Sequence, residues 1–107
     1  MKLYRAVSEE EMNDFILDKQ FRTSKNTLEA KQFFKLKTNC IDFVKKAVLQ
    51  EYNPQYKHLL TIEINEHFLQ NSDYFNSLLD GYDAISIGED DLLKFNYNVK
   101  FVLNERL

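Results

Sequence analysis

The sequence predicts an α+β domain with a mixed or antiparallel sheet, split or curved, that is flanked by two to three helices. Two observations lead to this prediction. Short segments with alternating apolar residues are separated by segments with helical spacing, in the order strand, helix, strand, helix, strand, helix. Further β segments then follow one another near the C-terminus. Such crowding favours a mixed or antiparallel sheet over a doubly wound parallel one.

Length and composition are those of one compact domain over residues 1–107. Nine Phe and six Tyr within a hydrophobic fraction of 44% are enough for one core, while two Gly and one Pro argue against long linkers. Cys40 is the single cysteine, so no internal disulfide can form. No apolar stretch approaches the roughly 20 residues of a membrane span, and the charged start does not resemble a signal peptide. We expect a cytoplasmic protein.

The first strand and helix are predicted from periodicity and capping. Residues Lys2–Val7 alternate in character and predict a strand. Ser8 and Glu11 have the spacing of a capping box, in which the serine accepts from the backbone of Glu11 and the glutamate side chain reaches back. The helix that they begin is predicted over Glu9–Lys19. The polar, irregular residues 21–30 predict a loop.

A second strand and helix follow this loop. Gln32–Leu36 predicts a short strand with Phe34 and Leu36 on one side. Thr38 or Asn39 can cap the next helix. The apolar stripe of that helix is predicted to consist of Cys40, Ile41, Val44, Ala47 and Val48.

The second half of the chain is predicted to contain three more strands. His58–Ile64 alternates well, with Leu60, Ile62 and Ile64 facing one way. A third helix is predicted over part of His67–Leu79, closed by Gly81. The remaining two strands are predicted at Ala84–Ile87 and Val99–Leu103.

Three consecutive acids, Glu89, Asp90 and Asp91, stand between those last two strands. Asp91–Asn96 is either extended or a helical turn. If the segment after Gly88 is extended, the side chains of Glu89 and Asp91 project from one face into one space. A solvated acidic turn between strands is the alternative.

Charge is distributed unevenly along the chain. Residues 19–46 contain eight Lys and Arg against two acids, although the whole chain has a net charge of −3. A basic segment within an acidic chain suits phosphate or nucleic acid, and a solvated lysine-rich surface is the alternative.

Several kinds of chemistry have no support in the sequence. His58 and His67 have no cysteine at metal-ligand spacing, so no metal site is predicted. Two glycines cannot build a glycine-rich phosphate loop. Cys40 lies on an apolar stripe and is expected to be a core residue. No serine has an obvious histidine partner.

Three segments together resemble small bacterial ADP-ribosyltransferase-like domains. Leu3–Glu11 is similar to the first strand and helix of that family. Lys31–Thr38, an aromatic strand that ends in threonine before a helix, resembles its second motif. Tyr82–Ile85 together with Glu89–Asn96 is similar to its third motif, in which an aromatic residue follows an acid by four positions.

The resemblance implies that NAD is bound as a substrate, in a cleft lined by the first strand and residues 89–96. Arg5, with Tyr4 beside it, would hold the pyrophosphate or the ribose on the nicotinamide side, a role suited to a planar bidentate donor. Phe33 or Phe34 would lie against the nicotinamide ring. Thr38 would supply the hydroxyl of the second motif.

The resemblance also implies the catalytic acid. Asp91 would grip the ribose 2′-hydroxyl, with Glu89 two residues before it, because a fixed carboxylate stabilises the positive charge left when nicotinamide departs. The implied activity is transfer of ADP-ribose to a protein, a nucleic acid or a small molecule, or cleavage of NAD. Aspartate in place of the usual glutamate and Arg5 in place of histidine depart from the family pattern.

Two other functions are open from the sequence. One is a non-catalytic interaction or inhibitor module that retains only the scaffold. The other is an RNA-binding protein that uses the basic segment 19–46, with Phe33 or Phe34 as a stacking platform.

Overall fold

The computed structural model describes residues 1–22, 30–71, 75–79 and 81–107. Within these ranges the chain forms six strands and four helices. In chain order they are β1 (Lys2–Ser8), α1 (Glu9–Asp18), β2 (Ala30–Phe34), α2 (Lys37–Leu49), β3 (Tyr56–Ile64), α3 (Glu66–Asn71), β4 (Phe75–Leu79), β5 (Tyr82–Gly88), α4 (Glu89–Tyr97) and β6 (Val99–Arg106).

The strands form one open sheet in the order β4-β5-β2-β1-β3-β6, and every neighbouring pair is antiparallel. The predicted α+β class with an antiparallel sheet is therefore confirmed. The predicted number of helices, two to three, is too low because residues 89–97 form a fourth. None of the helices in the described ranges is long and apolar enough to cross a membrane.

The sheet is covered on both faces because adjacent residues of each strand point in opposite directions. On one face, the strand residues of the larger core pack with Met12, Phe68, Leu92 and Phe95 of α1, α3 and α4. The smaller core, on the other face, includes Cys40 of α2. The strand residues of the larger core are Leu3, Val7, Phe33, Leu60, Ile62, Ile64, Ile85 and Ile87, and those of the smaller core are Ala6, Phe34, Leu59 and Ala84.

The sheet opens between β1 and β2. β1 pairs with β3 along its whole length, from Lys2 opposite Glu63 to Ser8 opposite Tyr56, with a register shift between Val7 and Ser8. With β2 it shares only the register pair Tyr4 and Phe34. β2 instead pairs along its whole length with β5. The second half of β1 and the first half of β2 thus diverge, and this opening positions the site described below.

An aromatic cluster holds α1 and α4 against the larger core. The ring of Phe21, just after α1, lies 4.7 Å from Phe15, 5.3 Å from Phe33 and 5.9 Å from Phe95 between centroids. The Asn96 side chain accepts from the Phe21 N–H and donates to the Phe21 carbonyl, both at 2.8 Å. The amide thereby satisfies both backbone groups of a buried residue, which joins the end of α1 to α4.

Phe21, Arg22 and Ala30 are the described residues of the loop predicted over 21–30, and its remainder lies outside the described residues. Phe21 is buried in the core although it follows a polar segment. Ala30 already belongs to β2.

The prediction of a helix over part of His67–Leu79 is correct only for its beginning. α3 ends at Asn71, and Phe75–Leu79 is a strand that pairs antiparallel with β5. Gly81 has φ +84° and stands between β4 and β5 rather than at a helix end. Pairing with β5, a contact made later in the chain, decides the structure of this segment.

The apolar residues of α1 and the predicted stripe of α2 extend beyond the faces that pack. Ile16 in α1 and Val48 in α2 are 58% and 67% exposed. Leu36, predicted to belong to the second strand, is the exposed N-cap residue of α2, so neither Thr38 nor Asn39 caps that helix. Apolar residues at the margin of each helix therefore face solvent.

We predict that Asn96→Ala lowers the free energy of unfolding by about 1–3 kcal/mol, because both backbone groups of Phe21 lose their partner. Urea denaturation followed by circular dichroism measures the change. Asn13→Ala, at an exposed position of α1, is the matched control and should change stability by less than about 0.5 kcal/mol. Equal stability of the two variants would contradict the role given to Asn96.

Candidate functional site

Arg5 lies at the opening of the sheet and joins three elements. Its Nε and Nη2 donate to the two carboxylate oxygens of Glu11 in α1, at 2.7 and 2.8 Å. Its Nη1 donates to the backbone carbonyl of Gln32 in β2, at 2.8 Å. The guanidinium also lies 5.7 Å from the centre of the Phe33 ring. The arginine thus spans the gap that β1 and β2 leave between them.

Glu11 is held by charge as well as by position. Ser8 caps α1 as predicted, since its Oγ accepts from the Glu11 N–H at 3.2 Å. The Glu11 carboxylate, however, is turned to Arg5 and to Lys31, whose Nζ is 3.4 Å away. Burial acts to raise the pKa of Glu11, but the hydrogen bond from Arg5 and the charges of Arg5 and Lys31 together lower it. The carboxylate is therefore ionised at neutral pH.

A cavity of about 420 Å³ lies beside Arg5, on the face of the sheet that α2 covers. We call it the Arg5 cavity. Four of its ten lining residues are aromatic and three are alanine, and Arg5, Gln32 and Gln50 complete the lining. The aromatic residues that line it are Phe34, Phe43, Tyr52 and Tyr56. A volume of this size is within the range of small-molecule sites.

The aromatic walls of the Arg5 cavity are in contact with one another. The Phe43 ring lies 5.3 Å from Phe34 and 5.5 Å from Tyr56 between centroids. Tyr52 stacks on Tyr56 at 5.6 Å with an interplanar angle of 13°. Burial, and next the neighbouring Tyr52, raise the pKa of Tyr56 to about 12. Its hydroxyl is therefore neutral at physiological pH.

The structure brings part of the predicted cofactor site together. Arg5 and Phe34 line the same cavity, and Tyr4 packs against the smaller core on that face. Phe33, the other predicted ring, is fully buried on the opposite face, stacked on Phe95 at 4.6 Å. Thr38 lies exposed in the first turn of α2 and is not among the residues that line the cavity.

The predicted acids lie at the start of α4. Because residues two apart on a helix do not face each other, the extended alternative, in which Glu89 and Asp91 share one face, is wrong. Glu89 is exposed and lines a second cavity of about 400 Å³, with Phe21 and Arg22. Asp91 is half-buried and lines neither cavity.

The prediction was a cleft between β1 and residues 89–96. Arg5 instead lines a cavity whose other walls come from β2, from α2, and from Tyr52 and Tyr56. The start of α4 is connected to this cavity only through the sheet, because α4 packs on the opposite face. Gly88, the N-cap residue of α4, is the register partner of Ala30, and Ala30 lines the cavity.

The basic residues of segment 19–46 that the structure describes are spread over both faces of the sheet. Lys31 pairs with Glu11 of α1, and Lys37 pairs with Glu105 at 2.8 Å. Lys46 lies 4.7 Å from the centre of the Tyr82 ring, which belongs to the face that α2 covers. RNA binding by one basic surface stays a prediction.

Other reactive side chains are engaged in the fold. Cys40 is fully buried, and burial raises the pKa of its thiol to about 12. His58 is buried, with Nε2 3.2 Å from Glu9 and Nδ1 3.0 Å from Asn104. Among the residues that the structure describes, no group of three or more His, Cys, Asp and Glu could hold a metal ion.

The sequence did not indicate several residues of this site, namely Glu11, Gln32, Phe43, Gln50, Tyr52 and Tyr56. Gln32 had a usable signal, because it is two positions before Phe34 on one strand and so shares its face. Tyr52 and Tyr56 carry no local signal that places them beside Arg5. The pairing of Glu11 with Arg5 was not predicted, because the capping-box spacing predicts that the Glu11 side chain turns back to the start of α1.

We predict that Glu11→Gln lowers the free energy of unfolding by about 1.5–3 kcal/mol at pH 7, since the charge-assisted hydrogen bond with Arg5 is lost. The pKa of Glu11 is lowered in the native protein, so its contribution is present above the unfolded pKa of about 4.5 and is lost as pH falls through the native pKa. The difference between wild type and variant should therefore shrink below pH 4.

Urea unfolding of both proteins at pH 7 and pH 3 measures this dependence. Glu10→Gln, which removes an exposed acid from the same helical turn, is the control and should change stability little at either pH. A difference for Glu11→Gln that is the same at both pH values would contradict the ionic role.

Compared with protein-family models, curated proteins and solved structures, the chain has no match. The function must therefore be inferred from the contacts of the described residues themselves.

Proposed function

We propose that the chain transfers ADP-ribose from NAD to an acceptor, or cleaves nicotinamide from NAD, with the dinucleotide held at the Arg5 cavity. The observation that supports this best is the meeting of an arginine with four aromatic rings at an opening of the sheet. A guanidinium attracts the pyrophosphate, and planar rings stack on flat aromatic walls. Arg5 and Phe34, to which the resemblance to ADP-ribosyltransferase-like domains gives roles in NAD binding, both line this cavity.

The proposed reaction breaks the bond between ribose C1′ and the nicotinamide nitrogen. The leaving nicotinamide takes the bonding electron pair, and C1′ becomes positively charged as the bond lengthens. Water or an acceptor oxygen or nitrogen then bonds to C1′ and loses a proton. A carboxylate held near the ribose stabilises the charge at C1′.

We assign this carboxylate role to Asp91, with Glu89 beside it in the chain. Two observations bear on the assignment. Gly88 is the register partner of Ala30 at one end of the Arg5 cavity, which supports an approach of the α4 start to a bound ribose. Glu89, however, lines a different cavity, and α4 packs on the opposite face of the sheet, so NAD would have to extend from the Arg5 cavity past Ala30 to that other face.

A non-catalytic interaction module is the second candidate function. It is favoured by the contacts of Arg5, whose guanidinium already makes three hydrogen bonds to Glu11 and to the Gln32 carbonyl. An arginine engaged in this way stabilises the fold without any ligand. On this candidate, NAD leaves the melting temperature unchanged.

We predict that the purified chain releases nicotinamide from NAD and that Asp91→Ala lowers the rate by about 10²–10³-fold. Chromatographic detection of nicotinamide measures the rate. Asp90→Ala is the matched control, because it removes the exposed acid between the two assigned residues, and its rate should equal that of wild type. Glu89→Ala should lie between the two.

Equal rates in wild type, Asp91→Ala and Glu89→Ala would contradict the catalytic role assigned to Asp91 and Glu89. The absence of both nicotinamide release and an NAD-dependent rise in melting temperature would favour the interaction module, since a ligand of the native state must raise stability. A rise in melting temperature without nicotinamide release would support NAD binding and contradict the proposed catalysis.

A further inference from the structure

We propose that β6 pairs with the β6 strand of a second copy of this chain, so that the two sheets join across a twofold axis. β6 is the last strand of the sheet, and in the part of the chain that the structure describes no strand lies on its outer edge. β3 separates it from β1 and from the opening at Arg5. The inference is therefore independent of the proposed function.

The outer edge of β6 carries backbone groups that the sheet does not use. The Leu107 N–H donates to the Lys57 carbonyl at 2.9 Å, in the register that β6 keeps with β3 over residues 101–106. Because backbone groups of successive residues alternate in direction along an antiparallel strand, Val102 and Asn104 direct their N–H and C=O groups away from β3. Such an edge is a template for another strand.

The middle of β6 lacks the features that usually protect such an edge. The strand has eight residues, with neither Pro nor Gly among them, and its charged residues Lys100, Glu105 and Arg106 lie towards its ends. Between them, Phe101 and Leu103 lie on one side of the strand and are 46% and 54% exposed. Large apolar side chains beside unpaired backbone groups indicate a surface that another chain covers.

Apolar surface borders the same edge on the other face of the sheet. Val99 and Val102 of β6 and Ile16 of α1 line a cavity of about 330 Å³ there. The Ile16 side chain is itself exposed. A second copy that pairs with β6 therefore lies beside apolar residues on both faces.

One register of the two strands satisfies both their backbones and their side chains. Residues opposite each other in an antiparallel pair point to the same side of the sheet, so the twofold axis must lie between one residue and its own copy. With the axis at Val102, the outward backbone groups of that residue bond to those of its copy. Phe101 then stands opposite Leu103 of the second copy, twice by symmetry, and residues 99–105 are paired.

The neighbouring registers are less favourable. Moving the axis to Leu103 places Lys100 opposite Arg106 of the second copy, and like charges directly opposite each other destabilise a sheet. Moving the axis to Phe101 shortens the paired length to residues 99–103. This self-complementarity of β6 identifies the occupant as a second copy, because the same two apolar side chains of each chain meet each other.

Sedimentation equilibrium of the full chain tests the proposal. Wild type should be mainly dimeric at micromolar concentration. Phe101→Glu and Leu103→Lys should each raise the dimer dissociation constant at least about tenfold, because each change places a charge opposite an apolar side chain at two symmetric positions. Leu49→Lys makes the same chemical change at an exposed leucine of α2 and should leave the dimer unchanged.

A mixture of the two variants tests the register itself. In a mixed dimer, the carboxylate introduced at position 101 faces the ammonium introduced at position 103 of the other chain, and the unchanged Leu103 and Phe101 face each other. An equimolar mixture of Phe101→Glu and Leu103→Lys should therefore dimerise far more tightly than either variant alone. Registers centred on Phe101 or Leu103 do not bring the two positions together.

Three results would overturn the inference. A monomeric wild type would exclude a second copy and leave the edge to a strand of a different protein. Variants Phe101→Glu and Leu103→Lys that dimerise as tightly as wild type would place the dimer contact elsewhere on the molecule. A mixture that dimerises no more tightly than its two components would contradict the proposed pairing of Phe101 with Leu103.

Discussion

The ion pair between Arg5 and Glu11 is the interaction on which the described site depends. β1 and β2 share one register pair and then separate, which leaves backbone groups without the partners that a continuous sheet provides. Arg5 crosses this gap and donates to the Gln32 carbonyl, while Glu11 fixes the other side of the guanidinium. Strand, helix and neighbouring strand are thus joined at one cation. Because only a quarter of the Glu11 side chain is exposed, this pair is screened less than a surface salt bridge.

The same opening explains why a cavity exists in so small a chain. Phe33 and Phe34 are neighbours on β2 but belong to different faces, one stacked on Phe95 in the larger core and the other lining the cavity. β2 is therefore held by the larger core on one face and by β5 at its edge, even where it leaves β1. β2 is therefore paired along one edge although its other edge is unpaired beside the cavity.

Much of the fold could be predicted because most elements are decided locally. Alternation placed β1 and β3, and capping and spacing placed α1, within one or two residues of their observed bounds. β4 could not be predicted in this way, since it is a strand through its pairing with β5. The prediction for the acids at 89–91 failed for a different reason. Their spacing suggested one face only on an extended chain, and the chain is helical there.

The candidate site was predictable only in part. Arg5 and Phe34 were identified from a short resemblance, and both line the Arg5 cavity. Their partners are set by tertiary structure: Glu11 comes from α1, and Tyr52 and Tyr56 lie beyond α2. No spacing rule relates these positions, because the distance between them in sequence changes with every loop.

A double-mutant cycle tests the central claim most directly. Urea unfolding at pH 7 is measured for wild type, Arg5→Met, Glu11→Gln and the double variant. If the ion pair joins the elements around the opening, the coupling energy should be about 1–3 kcal/mol. A coupling energy indistinguishable from zero, with additive effects of the two changes, would contradict the account.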